Sequence, residues 1–244
     1  MKKLSKISLL ICLCLTPFSS FAGANQQVAG TITFMMGDVF VSHDKTAWVD
    51  ADFDVKIHQG DQIRTEAESR CEITLEDGTI VRMDENSFQQ FEKCMIKKTS
   101  KEVSLFLSTG KMWLNARKIL AKSDSFKVRT NKAVCAIRGT KFRVDTDDEQ
   151  TRISVHKGVV ATWSSLFDEP KPEPEASTLK PVPIAGPHPV SMERWVEIVK
   201  DFQQITIDSN GKYEKKDFDI NSIMEDQWIR WNMTRDRLIK GLRD

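Results

Sequence analysis

From Val28 to Trp163 apolar side chains recur at every second position, and that period confines the stretch to extended chain. The sets are Ile32/Phe34/Met36, Val39/Val41, Ile73/Leu75, Val81/Met83, Val103/Leu105/Leu107, Met112/Leu114, Phe126/Val128, Phe142/Val144 and Ile153/Val155. A strand sends successive side chains to opposite faces, so residues two apart share the buried face of a sheet. Gly37-Asp38, Gly60-Asp61, Asp77-Gly78, Gly110, Gly139 and Gly158 punctuate the run as turn signals. Many short strands at this spacing predict an all-β main domain over residues 25–165, built as a sandwich, a barrel or a solenoid-like roll.

The Asp77-Gly78 turn carries a register. A two-residue loop opposes Leu75 to Ile80 and turns one partner of each apolar pair outward. One further residue pairs Leu75 with Val81 and Ile73 with Met83, which predicts a bulged turn or a solenoid corner rather than a tight hairpin.

The N-terminus sets the expected compartment. Lys2, Lys3 and Lys6 precede an apolar run from Ile7 to Leu15, and Pro17 and small residues lead to Phe21-Ala22-Gly23-Ala24. Charge, short apolar core and small-residue exit read as a cleaved signal peptide over residues 1–24, with the cut after Ala22 or Ala24. An uncleaved anchor is the weaker alternative, because a span needs roughly 20 apolar residues. Cys12 and Cys14 follow Ile11 and Leu13 rather than small residues, which argues against a lipid-modified cysteine. The mature chain is expected in the periplasm, with no transmembrane segment. Cleavage moves the formal net charge from +1 to −2 and leaves Cys71, Cys94 and Cys135. An odd number permits at most one internal disulfide. Cys71 and Cys94, flanking a predicted strand pair, are the candidate bond, which export permits. Three small buried apolar residues are the alternative.

Seven of the eight prolines fall between Pro170 and Pro189. Proline fixes φ and supplies no backbone donor, so residues 166–190 read as an extended spacer, with a proline-rich ligand as the alternative. Beyond it, residues 191–244 read as a helical segment. Met192, Trp195, Val199 and Phe202 share one face of a helix starting at Ser191. Ile205-Thr206-Ile207 forms a short β-like stretch before the turn Asp208-Ser209-Asn210-Gly211. Ser222 and Glu225 form a capping box, and Met224, Trp228, Trp231, Leu238 and Leu242 make an apolar stripe behind it. Two helices bury too little alone, so they are expected to pack on each other, on the β-domain or on a partner.

An ordered set of motifs runs through the β-region. Gly60-Asp61-Gln62-Ile63-Arg64-Thr65 is followed by Leu75-Glu76-Asp77-Gly78-Thr79, then Leu107-Ser108-Thr109-Gly110, then Phe126-Lys127-Val128-Arg129-Thr130. Ile137-Arg138-Gly139-Thr140-Lys141-Phe142-Arg143-Val144 and Val155-His156-Lys157-Gly158-Val159-Val160 close the series. The succession resembles the FecR domain, over about residues 28–163. The resemblance implies a periplasmic all-β domain which, in the regulators named for it, senses an outer-membrane transporter and signals to a cytoplasmic anti-sigma segment. With nothing ahead of the signal sequence, no such cytoplasmic segment is expected here, so only the fold and a binding role carry over. Gln203-Gln204-Ile205 and the stretch from Asp226 to Asn232 are similar to tails on other exported FecR-domain proteins. Most motif residues read as structural. Gly78 and Gly139 suit positive φ, Thr65, Thr130 and Thr140 suit bonds to neighbouring backbone, and Phe142 and Val144 suit the core. Arg138 is the motif residue singled out for ligand contact.

Charge is divided along the chain. Residues 50–92 carry twelve acidic and four basic residues, and residues 93–143 carry two acidic and fourteen basic ones. Either acidic and basic strands pair across the sheet, or the basic stretch faces an anionic partner such as lipid phosphate, a wall polymer or an acidic protein surface. Export argues against nucleic acid. Arg138, Lys141, Arg143, Trp228 and Trp231 are the candidate partner contacts. His43, His58, His156 and His188 read as scattered, with no pair at ligand spacing and no Cys-x-x-Cys. No nucleophile elbow, phosphate loop or H-E-x-x-H is present. Asp145, Asp147, Asp148 and Glu149 read as a solvated loop, and Asp208-Ser209-Asn210-Gly211 fails as a calcium loop because Lys212 takes position five. No catalytic set, metal or cofactor is therefore expected. The reading is a non-catalytic envelope protein that binds a protein partner, with cell-wall glycan or lipid-phosphate binding through residues 93–143 as the alternative.

Overall fold

The period-two segments pair into two sheets that share one long strand. The computed structural model describes residues 27–97, 100–118, 121, 124–167, 196–219 and 225–241. In chain order the strands are β1 (Val28–Met36), β2 (Val39–Ser42), β3 (Val49–Asp50), β4 (Lys56–His58), β5 (Gln62–Thr65) and β6 (Arg70–Leu75). Next come β7 (Ile80–Met83), β8 (Ser87–Ile96), β9 (Lys101–Asn115), β10 (Ser125–Arg129), β11 (Ala133–Ile137) and β12 (Lys141–Thr146). The series ends with β13 (Gln150–Lys157), β14 (Val160–Ser164), β15 (Glu197–Val199), β16 (Gln203–Asp208) and β17 (Tyr213–Asp217), and helix α1 (Gln227–Gly241) follows.

Sheet I has the order β4-β1-β6-β7-β9-β12-β13-β16-β17. Sheet II has the order β3-β2-β5-β8-β9-β10-β11-β14-β15. Every pairing is antiparallel except β9 with β10. From β10 onward the chain lays one antiparallel pair on sheet II and the next on sheet I in alternation, so the sandwich grows as a roll. Between the sheets lies one core, with Ile32, Ile73, Val81, Phe142 and Ile153 from sheet I against Val41, Ile63, Phe91, Leu105 and Val128 from sheet II. The all-β expectation holds.

Strand β9 joins the layers. Its first part pairs in sheet II and buries Val103, Leu105 and Leu107; its last part pairs in sheet I and buries Met112 and Leu114. The core-facing parity changes from odd to even between them. Gly110 sits at the change with φ +94°, and a Cβ there would lie 2.2 Å from Ser87 Oγ. Gly110 is thus a bend inside a strand and not a turn between strands.

Two local registers differ from the sequence reading. The β6–β7 hairpin pairs Ile73 with Val81 and Cys71 with Met83. Its loop is Glu76-Asp77-Gly78, closed by Gly78 N–H to Leu75 C=O (2.8 Å) and Leu75 N–H to Thr79 C=O (2.8 Å). The turn is bulged, as the parity argument required, but one pair tighter, because Gly78 takes φ +79° and lets three residues close the loop. In β1 a register shift between Ile32 and Phe34 breaks the Ile32/Phe34/Met36 set. Met35 packs on the core instead, and Phe34 and Met36 face outward.

The C-terminal stretch departs from its helical reading. Val199 is buried in β15, an edge strand of sheet II, and Phe202 has φ +62°, a conformation no helix contains. The segment pairs with β14 because Val199 fills the same core layer as Val160. Met192 and Trp195 lie outside the described residues, as do residues 1–26, where a signal peptide is expected, and residues 168–195. Ile205 and Ile207 are core residues of β16, and Gly211 closes the Asp208 turn.

The three thiols are free and buried. Cys71 lies on β6 of sheet I, whereas Cys94 lies on β8 of sheet II. The thiols being free, the expected Cys71–Cys94 bond is not formed, and each cysteine acts as a small apolar core residue.

Candidate interaction site

Helix α1 decides which face of the sandwich is available. Asp226 caps it: Oδ1 accepts the backbone N–H of Trp228 (2.8 Å) and of Ile229 (3.2 Å). The predicted Ser222 cap lies outside the described residues. Trp228 and Ile229 pack with Trp113 of β9 on the outer face of sheet I, joined by Phe218, Trp231 and Met233. The indole rings of Trp228 and Trp231 stack at 5.2 Å, and Phe34 meets Trp231 at 5.7 Å. The outward turn of Phe34 is thus what receives the helix.

An ion network fastens the same contact. Arg82 of β7 is fully buried and donates to Glu72 Oε2 (2.6 Å), Asp236 Oδ1 (2.8 Å) and Asn232 Oδ1 (3.1 Å). Arg235 forks onto both oxygens of Glu72, at 3.0 and 3.1 Å. Burial alone would raise the Glu72 carboxyl, but the Arg235 hydrogen bond and the Arg82 charge outweigh it and hold the group below its ordinary range. Lys141 reaches Asp236 at 3.1 Å, and Arg143 reaches Asp145 at 2.6 Å and Asp226 at 2.5 Å.

Four of the five candidate partner contacts are therefore spent inside the molecule. Trp228 is 2 % exposed, Trp231 lies under Phe34 and Arg235, and Lys141 and Arg143 hold helix carboxylates. Leu238, predicted on the buried stripe, is 62 % exposed, because the helix is seated by its Trp228, Ile229, Asn232 and Asp236 face. The remaining contact, Arg138, is exposed.

Arg138 borders the outer face of sheet II, which carries no helix among the described residues. Cross-strand register lines up Lys93, Ser104, Lys127, Ala136, Ala161 and Ile198 across β8, β9, β10, β11, β14 and β15. The next row is Phe106, Arg129, Val134 and Trp163. Small side chains at Ser104, Ala136 and Ala161 make a trough beside the bulky row. Two depressions result. One, of about 500 Å³, is lined by Lys93, Glu102, Arg129, Val134, Trp163 and Phe167. The other, of about 570 Å³, is lined by Phe126, Ala136, Ile137, Arg138, Val159 and Ala161. Both fall in the size range of ligand sites. The Trp163 indole N–H has no acceptor.

Part of the basic stretch is paired with carboxylates of neighbouring segments. Lys93 meets Glu102 (2.7 Å), Lys111 meets Asp84 (3.2 Å), Arg129 meets Glu92 (2.9 Å), and Lys101 meets Asp77. Lys98 and Lys122 lie outside the described residues. Several motif residues make contacts within the fold. Thr65 donates to Asp84 C=O (2.5 Å), Thr140 donates to Val159 C=O (2.8 Å), and Thr130 Oγ1 accepts Ala133 N–H (3.0 Å). Asp77 Oδ1 accepts Thr79 N–H (2.9 Å), and Phe142 and Val144 are core. Gly60, Gly78, Gly110, Gly139 and Gly158 all have positive φ. The histidines are less scattered than their spacing suggests, since His43 and His58 both converge on Asp61. Sequence distance hid this, because the turn that carries the chain from β4 in sheet I to β5 in sheet II brings the second histidine to the first.

The fold defines an all-β sandwich domain with a helix strapped to one sheet and a cleft-bearing face on the other. Within that class, residues 61–161 match the family described as FecR protein. No curated protein matches the sequence. Two crystal structures of a candidate anti-sigma factor from Parabacteroides distasonis are similar, each with 20 % identity and a TM-score of 0.44. Each alignment covers 65 % of this chain and 60 % of the crystallised one.

Proposed function

We propose that this chain is an exported, periplasmic binding protein whose FecR domain recognises a partner protein on the outer face of sheet II, without catalysis. The carrying observation is the asymmetry of the sandwich: α1 packs on sheet I, where depressions of about 200 and 380 Å³ remain beside it, whereas on sheet II they reach about 500 and 570 Å³, with Val159 (49 % exposed) in the lining of the second and Ile198 (43 % exposed) opposite Ala161 in the register. Mixed apolar and charged lining with aromatic anchors suits a protein surface. The cross-strand pairing of Lys93 and Arg129 with Glu102 and Glu92 weakens the case for an anionic polymer. A FecR domain supports a sensing or interaction role in general, and the signal-sequence reading supports the compartment.

A photoreactive residue at Ile198 tests the proposal in cells. One protein adduct is expected, and Ala161→Arg, which fills the trough, should abolish it while leaving the thermal midpoint unchanged. Envelope sedimentation that needs no protein partner and weakens steeply with salt would instead mark a polymer or lipid-phosphate surface, and would overturn it.

A further inference from the structure

His43 follows β2, His58 ends β4, and Asp61 lies in the turn that enters β5. His43 and Asp61 sit at one end of sheet II, on the β2–β5 flank and away from β14 and β15, and His58 meets them from the end of β4, the edge strand of sheet I. The Nδ1 atom of His43 is 2.8 Å from Asp61 Oδ2, and Nδ1 of His58 is 3.6 Å from the same oxygen. One ligand atom from each residue lies within 4.8 Å of the other two.

The turn and loop are fixed before any ligand arrives. Asp61 N–H donates to His58 C=O (3.2 Å), and Asp61 Oδ2 accepts His58 N–H (2.8 Å). Beside His43, Asp44 Oδ1 accepts the N–H groups of Thr46 and Ala47, both at 2.8 Å. The histidine side chains remain reachable, at 48 % and 26 % exposure.

Asp61 is what makes the arrangement more than a hydrogen bond. It is fully buried, and no Lys or Arg among the described residues pairs with it. Its Oδ1 has no hydrogen-bond partner. Buried carboxylates are held by a cation or by filled hydrogen bonds, and two imidazoles and one backbone amide supply neither in full. A divalent cation supplies the missing charge. Ligands at 2.0–2.1 Å around a tetrahedral centre stand roughly 3.3 Å apart, and the two observed separations bracket that value.

We propose that His43, His58 and Asp61 bind one zinc-class divalent cation. The donor set is two borderline nitrogens and one carboxylate oxygen, which suits zinc and cobalt(II) over the all-oxygen sites of calcium or magnesium. Three protein ligands leave the fourth position to water or to a donor from a bound partner.

The test is titration of the chelator-stripped full chain with cobalt(II), followed by competition with zinc. One equivalent should bind with the visible absorption of a tetrahedral centre, and zinc should displace it. His43→Gln and His58→Gln should each weaken zinc by about a hundredfold or more, the upper end of what support-shell losses alone produce. Zinc should raise the thermal midpoint of the unmodified chain and not that of the double variant. Both histidines are part-exposed, so these variants keep the core, and circular dichroism checks that they do. Asp61→Asn should also abolish binding; should that variant unfold, the two histidine variants decide the question. Zinc binding no tighter in the unmodified chain than in His43→Gln/His58→Gln overturns the proposal.

Discussion

Arg82 and Asp236, far apart in the chain, meet at 2.8 Å with the arginine fully buried, and through them the last helix becomes part of the β-sandwich. Arg82 stands at the centre of Glu72, Asn232 and Asp236, so it links β6, β7 and α1 at one point.

Removing the centre of that network should cost more than removing its rim. Arg82→Ala leaves Glu72 and Asp236 buried without their shared cation, and the expected loss is about 3–5 kcal/mol. Asp236→Asn keeps an oxygen for Arg82 and should lose on the order of 1–2 kcal/mol. Denaturant unfolding measures both. Tryptophan fluorescence reports whether α1 lifts first, since Trp113 lies under it and Trp228 is on its buried face. Equal losses in the two variants would mean that the ions do not seat the helix.

His156 should make the same contact sensitive to acid. Its ring lies 4.7 Å from Trp113 and 5.5 Å from Phe218, and neither nitrogen has a hydrogen-bond partner. Burial, reinforced by the Arg143 charge, pushes the imidazole down to about 4. The unfolded chain takes up that proton near pH 6.5. The group's contribution is therefore complete above about pH 6.5 and is lost as pH falls toward 4, for a total of about 3 kcal/mol. His156→Phe should flatten the stability profile across that window, read as the change in unfolding midpoint between pH 7 and pH 4.5. Glu72 and Asp226, both held below the ordinary carboxylate range, act in both proteins alike. Parallel profiles would show that His156 is not buried neutral.

The β-character of residues 28–163 was legible because burial on one face of a strand leaves a period that a sequence cannot hide. Departures came where a third element intervened. Phe34 obeys the period on paper, yet a bulge turns it out toward Trp231, a residue almost two hundred positions later. Trp228 and Trp231 announced a buried helical stripe, but nothing local says whether such a stripe meets the chain's own sheet or a partner. Val199 looked helical because residues three and four apart in a short stretch fit either period, and pairing with Val160 decided it. The sheet II trough depends on Ala136 and Ala161 standing opposite each other, which only the register reveals. His43 and His58 carried no signal until the β4–β5 turn placed them on one carboxylate.

Gly110 should be the least replaceable of the motif glycines. A Cβ there would stand 2.2 Å from Ser87 Oγ and 2.5 Å from Ser87 Cα, and φ is +94°. Backbone strain alone is worth about 1–3 kcal/mol, and displacing Ser87 adds to it, so Gly110→Ala should cost more than about 3 kcal/mol by chemical denaturation. At Gly60, φ is +97° but nothing lies within 4 Å of the added atom. Gly60→Ala should therefore cost only the strain. Reversal of that order would contradict the crossover at β9.

The three core cysteines should stay reduced and unreactive in the folded chain. Burial pushes the thiols of Cys94 and Cys135 up to about 12, and that of Cys71 higher still with the Glu72 charge adding. Thiolate is the reacting species, so the native protein should consume almost no maleimide or aromatic disulfide reagent. In denaturant Cys71, Cys94 and Cys135 should all titrate, and a reductant should leave the native thermal midpoint where it was. A Cys71–Cys94 bond would leave only Cys135 to react and would lower the midpoint on reduction, because opening the loop it closes restores entropy to the unfolded chain. Bonding across the two sheets would also require β6 and β8 to surrender core positions now filled by thiols packed beside Met83 and Val103. An oxidising compartment would permit a bond, but the sandwich gives these thiols neither a partner nor a solvent-exposed edge at which to find one.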